Sequence, residues 1–291
     1  MYTTVSELCK LSETEGKALW EIVLENEIKT MEKTREDIFA GLKSRFEVME
    51  NSAHKALEQP FSTVGDLIRG TALIQNRYTV ENGGLCGPFI NRAMALALSS
   101  CEINGAMGKI CAAPTAGSCG ILPAVLISVR DRLGLDDQKV YEGMLTAAGI
   151  GAVVMKNATV AGAEGGCQAE CGVAAAMAAA AAVHMSQGTS QMCANACGFA
   201  LMNVMGLVCD PVAGLVQLPC ALRNASQTVN ALISADMALS GAPCLIPADE
   251  IIEAMYRVGK ALPVSLKETG EGGLAATPTG QAIRKKIFGK L

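Results

Sequence analysis

Three of the twelve cysteines stand where a thiolate could bind a metal. Cys167 follows two glycines, Cys209 precedes an Asp-Pro pair, and Cys220 follows a proline. Each is therefore predicted to lie at a turn, where backbone N–H groups are free to face sulfide. Iron–sulfur clusters are bound by Cys thiolates and tuned by hydrogen bonds and burial. The pattern favours an iron–sulfur site built on these three residues.

Other cysteines fit an apolar interior better. Cys171, Cys193 and Cys197 lie within Ala- and Met-rich helical runs. The pairs Cys167/Cys171 and Cys193/Cys197 have C-x3-C spacing, which on a helix puts both thiols on one face and could hold a metal. A free cysteine is nevertheless often a small buried hydrophobe, so core packing stays the alternative for each of them.

Zinc is the competing metal. No C-x2-C pair occurs, and the chain has only two histidines. His54 is predicted to lie at the surface and His184 to be satisfied at a helix end, so neither favours a zinc site.

Helices must position these thiols. Half of the residues are hydrophobic but only 4% are aromatic, so Ala, Gly, Val, Leu, Met and Cys must fill the interior. Strand signals are thin, and glycine-rich turns separate the helical stretches. We predict one all-α domain over residues 1–291, with the turns converging on a buried centre. It comprises a charged helical layer (1–80), an apolar core carrying the site (81–250), and a C-terminal helix with a looser tail (251–291).

Charge and targeting signals exclude several classes of protein. The apolar run from Cys171 to Met185 is shorter than the ~20 residues that a bilayer core needs. The net charge is -4 with a pI near 5.4, and no Lys/Arg cluster suits a phosphate backbone, so we expect neither a membrane nor a nucleic-acid partner. The N-terminus has no export signal, so we expect a cytoplasmic protein whose cysteines are not a disulfide framework.

Three stretches of the chain resemble the α-chain of bacterial iron–sulfur-dependent L-serine dehydratases. They are NRAMALALSSCEINGAMGKICAAPTAGSCGILPAVL (91–126), AGAEGGCQAECGVAAAMAAAAAV (161–183) and MGLVCDPVAGLVQLPCALRNASQTVNALISADMALSG (205–241). The family's ligand spacing is matched by Cys167, Cys209 and Cys220. The resemblance is densest from about 60 to 245 and extends over the whole chain.

The resemblance implies a function and a cofactor. The family binds a [4Fe-4S] cluster through three thiolates, and the fourth, open iron acts as a Lewis acid for the hydroxyl and carboxylate of L-serine. Loss of water then leads to pyruvate and ammonia. Single-chain relatives carry a regulatory region fused before the catalytic part. This sequence lacks that region, so the resemblance also implies a separate β-chain partner in a heteromer.

Substrate-binding candidates come from the polar residues of the glycine-rich stretches. Thr115, Gly117 and Ser118 form a small-residue turn suited to a carboxylate, with an ordinary N-capping turn as the alternative. Asn104 and Lys109 precede it, and Lys109 is a candidate carboxylate partner or base unless its head simply reaches solvent. Lys109 and Ser118 are the candidate catalytic residues.

Two further candidates follow Cys220. Arg223 and Asn224 either support the site as hydrogen-bond donors or simply begin a helix.

Two other functions remain open from the residues alone. A pyridoxal-phosphate dehydratase would need a Schiff-base lysine in an α/β setting, and that pattern is missing. A non-catalytic iron–sulfur or thiol scaffold would have a closed structural cluster. The Ser-, Thr- and Asn-rich turns around the three thiols favour an open site instead.

Overall fold

Thirteen α-helices make up the regular structure of residues 2–289 in the computed structural model. In chain order, α1 to α13 are Val5–Glu15, Leu19–Met31, Arg35–Lys55, Thr71–Asn82, Gly87–Gly105, Ile121–Leu133, Asp137–Asn157, Gly162–Gly165, Val173–Met185, Ser190–Met202, Cys220–Leu239, Ala248–Ala261 and Pro278–Phe288. Over this range there is no β-strand, only an isolated bridge between Cys209 and Lys267. The predicted all-α, single-domain fold is confirmed.

The alanine-rich helix α9 lies at the centre of the fold. Every residue from Val173 to Val183 is buried, and α6, α7, α10 and α11 pack around it. Alanine is the best helix former, and its methyl group lets neighbouring backbones come close. None of the helices within residues 2–289 is long and apolar enough to cross a membrane.

The charged N-terminal helices pack on this centre through one face. Helix α2 lies against α7, and α3 lies against α5. Leu8 and Phe46 are fully buried in the shared core, while most charged side chains of these helices stay exposed or half-buried. Phe46 meets Tyr141 of α7 edge-on, with 6.2 Å between the ring centroids.

Helix starts follow the capping residues in the sequence. Thr34 and Asp37 form a reciprocal capping box at α3, and Asp136 accepts the N–H of Lys139 at α7 over 3.1 Å. Thr189 caps α10 in the same way. Such caps satisfy N–H groups that have no partner within the helix.

The C-terminal region is more ordered than the predicted tail. After α12, residues 262–277 fold back onto the centre, and α13 then begins at Pro278 behind its capping residue Thr277. The backbone of Cys209 holds this segment, accepting from Glu268 N (2.7 Å) and donating to Leu266 O (2.9 Å). The glycines in this stretch indicated a loose tail, but these long-range bonds to residue 209 fix it.

Four segments therefore meet at one end of the central helix. They are the turn before α6, the turn before α9, the strand-like segment after α10, and the start of α11. These are the segments that carry the candidate site residues.

Candidate functional site

Cys167 lies at the turn that leads into the central helix. It follows the short helix α8 and precedes a π-helical turn, Gln168–Gly172, that continues into α9. The thiol is buried, yet its pKa is lowered, because a hydrogen bond with Cys171 and the positive charge of Arg223 outweigh the effect of burial. Thiolate is the form of cysteine that binds metal, so this setting favours a ligand.

Cys209 and Cys220 share the electrostatic environment of Cys167. The pKa of Cys220 is raised to about 12, mainly by burial and also by the negative charges of Cys167 and Glu170. Burial likewise raises the pKa of Cys209, and Glu170, Cys167 and Cys220 are among the groups that add to it. The three predicted ligands therefore lie in one neighbourhood and need a positive charge there to be thiolates together.

Gln168 joins the segments that carry two of these thiols. It is completely buried beside Cys167, and it bonds to four backbone groups. These groups are Gly206 N on Oε1 (2.8 Å), Leu207 O on the backbone N–H (3.1 Å), and Gly165 O (2.9 Å) and Met255 O (3.1 Å) on Nε2. The segment just before Cys209 is thereby tied to the Cys167 turn and to α12.

Arg223 forms a second link between these segments. Its Nη1 donates to the carbonyl of Val208 over 2.8 Å, and its Nη2 lies 2.8 Å from Asp210 Oδ1. The other oxygen of Asp210 accepts from Leu274 N over 2.7 Å, which attaches the C-terminal segment. Arg223 thus links the residues on either side of Cys209 to the first turn of α11, and its supporting role in the site stays a prediction.

The turn from Thr115 to Ser118 has the geometry of a capping turn. Thr115 and Ser118 form a reciprocal capping pair, with 3.2 Å between their hydroxyl oxygens, and Ser118 is completely buried. Asn104 donates to the carbonyl of Ala116 over 3.2 Å, which fixes the turn on α5. The Ser118 hydroxyl faces the protein interior, whereas Thr115 and Gly117 are only half-buried.

Asn224 fastens this turn to the start of α11. Its Nδ2 donates to Gly117 O (2.7 Å) and to Cys220 O (2.9 Å), and its Oδ1 accepts from Gly120 N (2.9 Å). Because Asn224 is completely buried and these bonds use its amide, it holds the Thr115 turn beside Cys220.

Glu170 lies between the thiols and the Thr115 turn. Its Oε1 accepts from the Thr115 hydroxyl over 3.0 Å, and its Oε2 lies 4.0 Å from Cys209 Sγ. The pKa of Glu170 is raised to about 7, mainly by burial and also by the charge of Glu268, against the hydrogen bond from Thr115. The pKa of this carboxyl group is strongly perturbed, and its side chain is half-buried.

Two glycines make room for this carboxylate. A Cβ on Gly162 would lie 2.7 Å from Glu170 Oε2 and 3.1 Å from Cys209 Sγ. A Cβ on Gly117 would lie 3.1 Å from Glu170 Oε1. Any larger residue at either position would push against the carboxylate, which is why the chain approaches it with glycine.

Lys109 lies apart from this arrangement. It is exposed and lines a shallow surface pocket with residues of α3, including Arg45. Within residues 2–289 it forms no hydrogen bond or ion pair with the site. Its role as a base or carboxylate partner stays a prediction.

The structure also shows where two further cysteines and the two histidines lie. Cys193 and Cys197 are buried in α10, and His184 ends α9 with its Nε2 3.4 Å from Glu142 Oε2. His54 is half-buried in the last turn of α3, more covered than the surface position predicted.

Sequence reasoning missed Glu170, Gln168 and Asp210. Residues 140–240 contain only seven Asp, Glu, Lys or Arg residues, and Glu170 and Asp210 are two of them. A carboxylate is rarely placed in so apolar a stretch without a partner or a function, so this scarcity was the available signal. Gln168 carried no comparable signal, because three of its four partners lie far along the chain.

The donor set suits a cluster better than a single ion. Within the part of the chain that the structure describes, no three His, Cys, Asp or Glu side chains converge closely enough to hold one metal ion. Each thiolate of a multi-iron cluster binds a different iron, so its ligands need not converge on one point. A Cβ at Gly162 would lie 2.7 Å from Glu170 Oε2 and 3.1 Å from Cys209 Sγ, so only glycine lets the backbone come this close to the carboxylate and the thiol.

The chain is similar to known proteins over nearly its whole length. Residues 14–275 match the family described as serine dehydratase alpha chain. The chain is 47% identical over 288 residues to the L-serine dehydratase alpha chain of Peptoniphilus asaccharolyticus, covering 99% of each. It is 45% identical over 289 residues to a probable L-serine dehydratase alpha chain of Bacillus subtilis, covering 99% of this chain and 96% of that one.

This chain matches only part of one longer relative. An L-serine dehydratase of Escherichia coli is 35% identical over 287 residues, covering 94% of this chain but only 61% of that protein. Taken with the family match and the two full-length similarities, this establishes that the chain belongs to the serine dehydratase alpha-chain family.

Proposed function

We propose that the chain is the α-chain of an enzyme that converts L-serine to pyruvate and ammonia by removing water. One observation carries the proposal. Three thiols from separate segments share one electrostatic environment beside Glu170, which bonds to a half-buried turn rich in small polar residues. Membership of the family and the names of its full-length relatives support the substrate.

We infer that Cys167, Cys209 and Cys220 hold a [4Fe-4S] cluster. When bound, such a cluster supplies a Lewis-acidic iron that stabilises the departing hydroxide and acidifies the Cα proton. The raised pKa values of Cys209 and Cys220 agree with this inference, because iron is the positive charge that these buried thiols lack.

The chain's own residues prepare the site for this chemistry. Arg223 favours the thiolate of Cys167, and Asp210 holds the guanidinium in place. Asn224 keeps the Thr115 turn beside Cys220, and this turn offers a small-residue backbone for the substrate carboxylate. Residues 262–277 cover one side of the site, which limits access of water.

A second chain completes the enzyme in this proposal. Full-length relatives carry the name alpha chain, and the longer Escherichia coli protein extends well beyond the region that matches. We propose that a β-chain supplies the corresponding part in a heteromer. Co-expression should raise turnover over that of the α-chain alone, and equal turnover by the two preparations would rule out an obligatory partner.

The function is tested by anaerobic purification with assays for iron, acid-labile sulfide and pyruvate. We expect about four irons per chain, pyruvate formation from L-serine, and loss of activity in air. Borohydride, which reduces the Schiff bases of pyridoxal-phosphate enzymes, should have little effect. A preparation without iron that turns over L-serine at full rate would overturn the proposal, and a stable cluster without turnover would favour a scaffold.

A further inference from the structure

Glu170 is an acidic side chain in the site whose charge no cation of the chain balances. Within residues 2–289, no Lys, Arg or His nitrogen lies within 4.0 Å of its carboxylate. Arg223, the cation that acts on Cys167, is paired with Asp210 and Val208 instead. Glu268 adds a second negative charge near the Glu170 carboxylate. The potential at this point therefore favours a positively charged ligand.

One oxygen of this carboxylate has no strong donor among the described residues. Oε1 already accepts from the Thr115 hydroxyl over 3.0 Å. Oε2 has only the thiol of Cys209, at 4.0 Å, and a cysteine that binds iron has no proton to donate. Glu170 is half-buried, so part of its side chain stays exposed.

The position of the carboxylate matches the shape of an α-amino acid. The ammonium and carboxylate of such a molecule are attached to the same carbon, so their binding groups must lie side by side. Glu170 is bonded to Thr115 and lies against Gly117, both in the turn expected to bind the substrate carboxylate.

We propose that Glu170 binds the α-ammonium group of the substrate and so selects amino acids over acids that lack this group. The inference rests on the proposed function, since it concerns the same site. It assigns Glu170 a role in specificity, whereas the three thiols and the Thr115 turn serve the cluster and the carboxylate.

Two unreactive ligands separate the contribution of the ammonium group from that of the rest of serine. L-alanine keeps the ammonium and carboxylate but lacks the hydroxyl, and 3-hydroxypropanoate keeps the hydroxyl and carboxylate but lacks the ammonium. Calorimetry on the anaerobic, cluster-loaded protein measures the dissociation constant of each. Iron and sulfide content and the visible absorption of the cluster are measured on the same samples.

Glu170→Gln keeps the size of the side chain and removes its charge. We expect it to weaken L-alanine binding about 10- to 100-fold, as the loss of a charge-assisted hydrogen bond does. The dissociation constant of 3-hydroxypropanoate should change less than about threefold. KM for L-serine should rise by a factor similar to that of the L-alanine dissociation constant. The control is Glu164→Gln, the same substitution at an exposed position of α8. It should alter none of these values.

Equal changes for both ligands, or no change for either, would overturn the assignment. If Glu170→Gln does not load its cluster, Glu170→Asp decides the matter, because it keeps the charge but withdraws it by one methylene. Its ratio of L-alanine to 3-hydroxypropanoate affinity should fall about 3- to 10-fold, and an unchanged ratio would contradict the proposal. Failure of the proposed function is distinct from either result, because the wild-type protein would then lack iron or form no pyruvate.

Discussion

Arg223 and Asp210 form an ion pair in which Nη2 and Oδ1 lie 2.8 Å apart, with side chains only 15% and 4% exposed. The pair joins the first turn of α11 to the residue after Cys209. Arg223 also acts on Cys167 and bonds to Val208, so one guanidinium links the surroundings of the three proposed ligands.

Replacing Asp210 with Asn should therefore destabilise the protein and disturb the site. A buried pair that loses one partner leaves an uncompensated charge, so we expect unfolding to require about 3 kcal/mol less free energy. Urea denaturation of the cluster-free protein measures this change. Glu253→Gln, which removes an exposed ion pair with Arg257, is the control and should have no measurable effect. Equal effects of the two substitutions would contradict the role of the buried pair.

The cysteines should separate into two groups by their effect on iron binding. Alanine at Cys167, Cys209 or Cys220 should abolish cluster binding and activity. Alanine at Cys171, Cys193 or Cys197 should keep iron and cost about 1 kcal/mol as a small buried cavity. Iron analysis and denaturation measure both quantities. Retention of iron by Cys167→Ala together with its loss in Cys171→Ala would show that the ligands were assigned to the wrong thiol.

Loss of the Gln168 hydrogen bonds should weaken the cluster without removing a ligand. Gln168→Leu leaves Gly206 N and two carbonyls without their partner, which should destabilise the fold by about 2–4 kcal/mol. The segment before Cys209 should then move more freely, so an anaerobic chelator should remove iron several times faster. Gln191→Leu, on an exposed face of α10, should leave the rate unchanged. An unaltered rate in Gln168→Leu would mean that the thiols hold their positions without this link.

His184 should contribute to the acid sensitivity of the fold. Burial lowers its pKa, although the hydrogen bond with Glu142 opposes this shift. The unfolded chain therefore binds more protons than the folded chain just below the ordinary histidine pKa of ~6.5, and stability falls as the pH drops through that region. As the pH is lowered from about 7 to about 5, the free energy of unfolding should fall less for His184→Gln than for the wild type. Parallel stability curves for the two proteins would exclude this contribution.

Local sequence signals predicted the helices and the three proposed ligands. The alanine run and the turns at Cys167, Cys209 and Cys220 depend on neighbours in the chain, so their types and spacing are informative. Glu170 acquires its position through Thr115 and Gly117, more than fifty residues earlier in the chain, and no local pattern encodes that approach.

The C-terminal segment was mispredicted for the same reason. Its glycines are typical of a flexible tail, but the backbone of Cys209 and the carboxylate of Asp210 hold residues 266–274 against the site. Lys109 lies in a surface pocket with Arg45, and its role as a base stays a prediction.

Mössbauer spectroscopy of the ⁵⁷Fe-reconstituted protein, with and without L-serine, tests the central claim most directly. A [4Fe-4S] cluster held by three cysteines has one iron without a protein thiolate, and only that iron can bind substrate. We predict that one quarter of the iron signal shifts when L-serine is added anaerobically, while the remaining signal is unchanged. Pyruvate formation by a protein whose iron signal does not respond to L-serine would contradict the account.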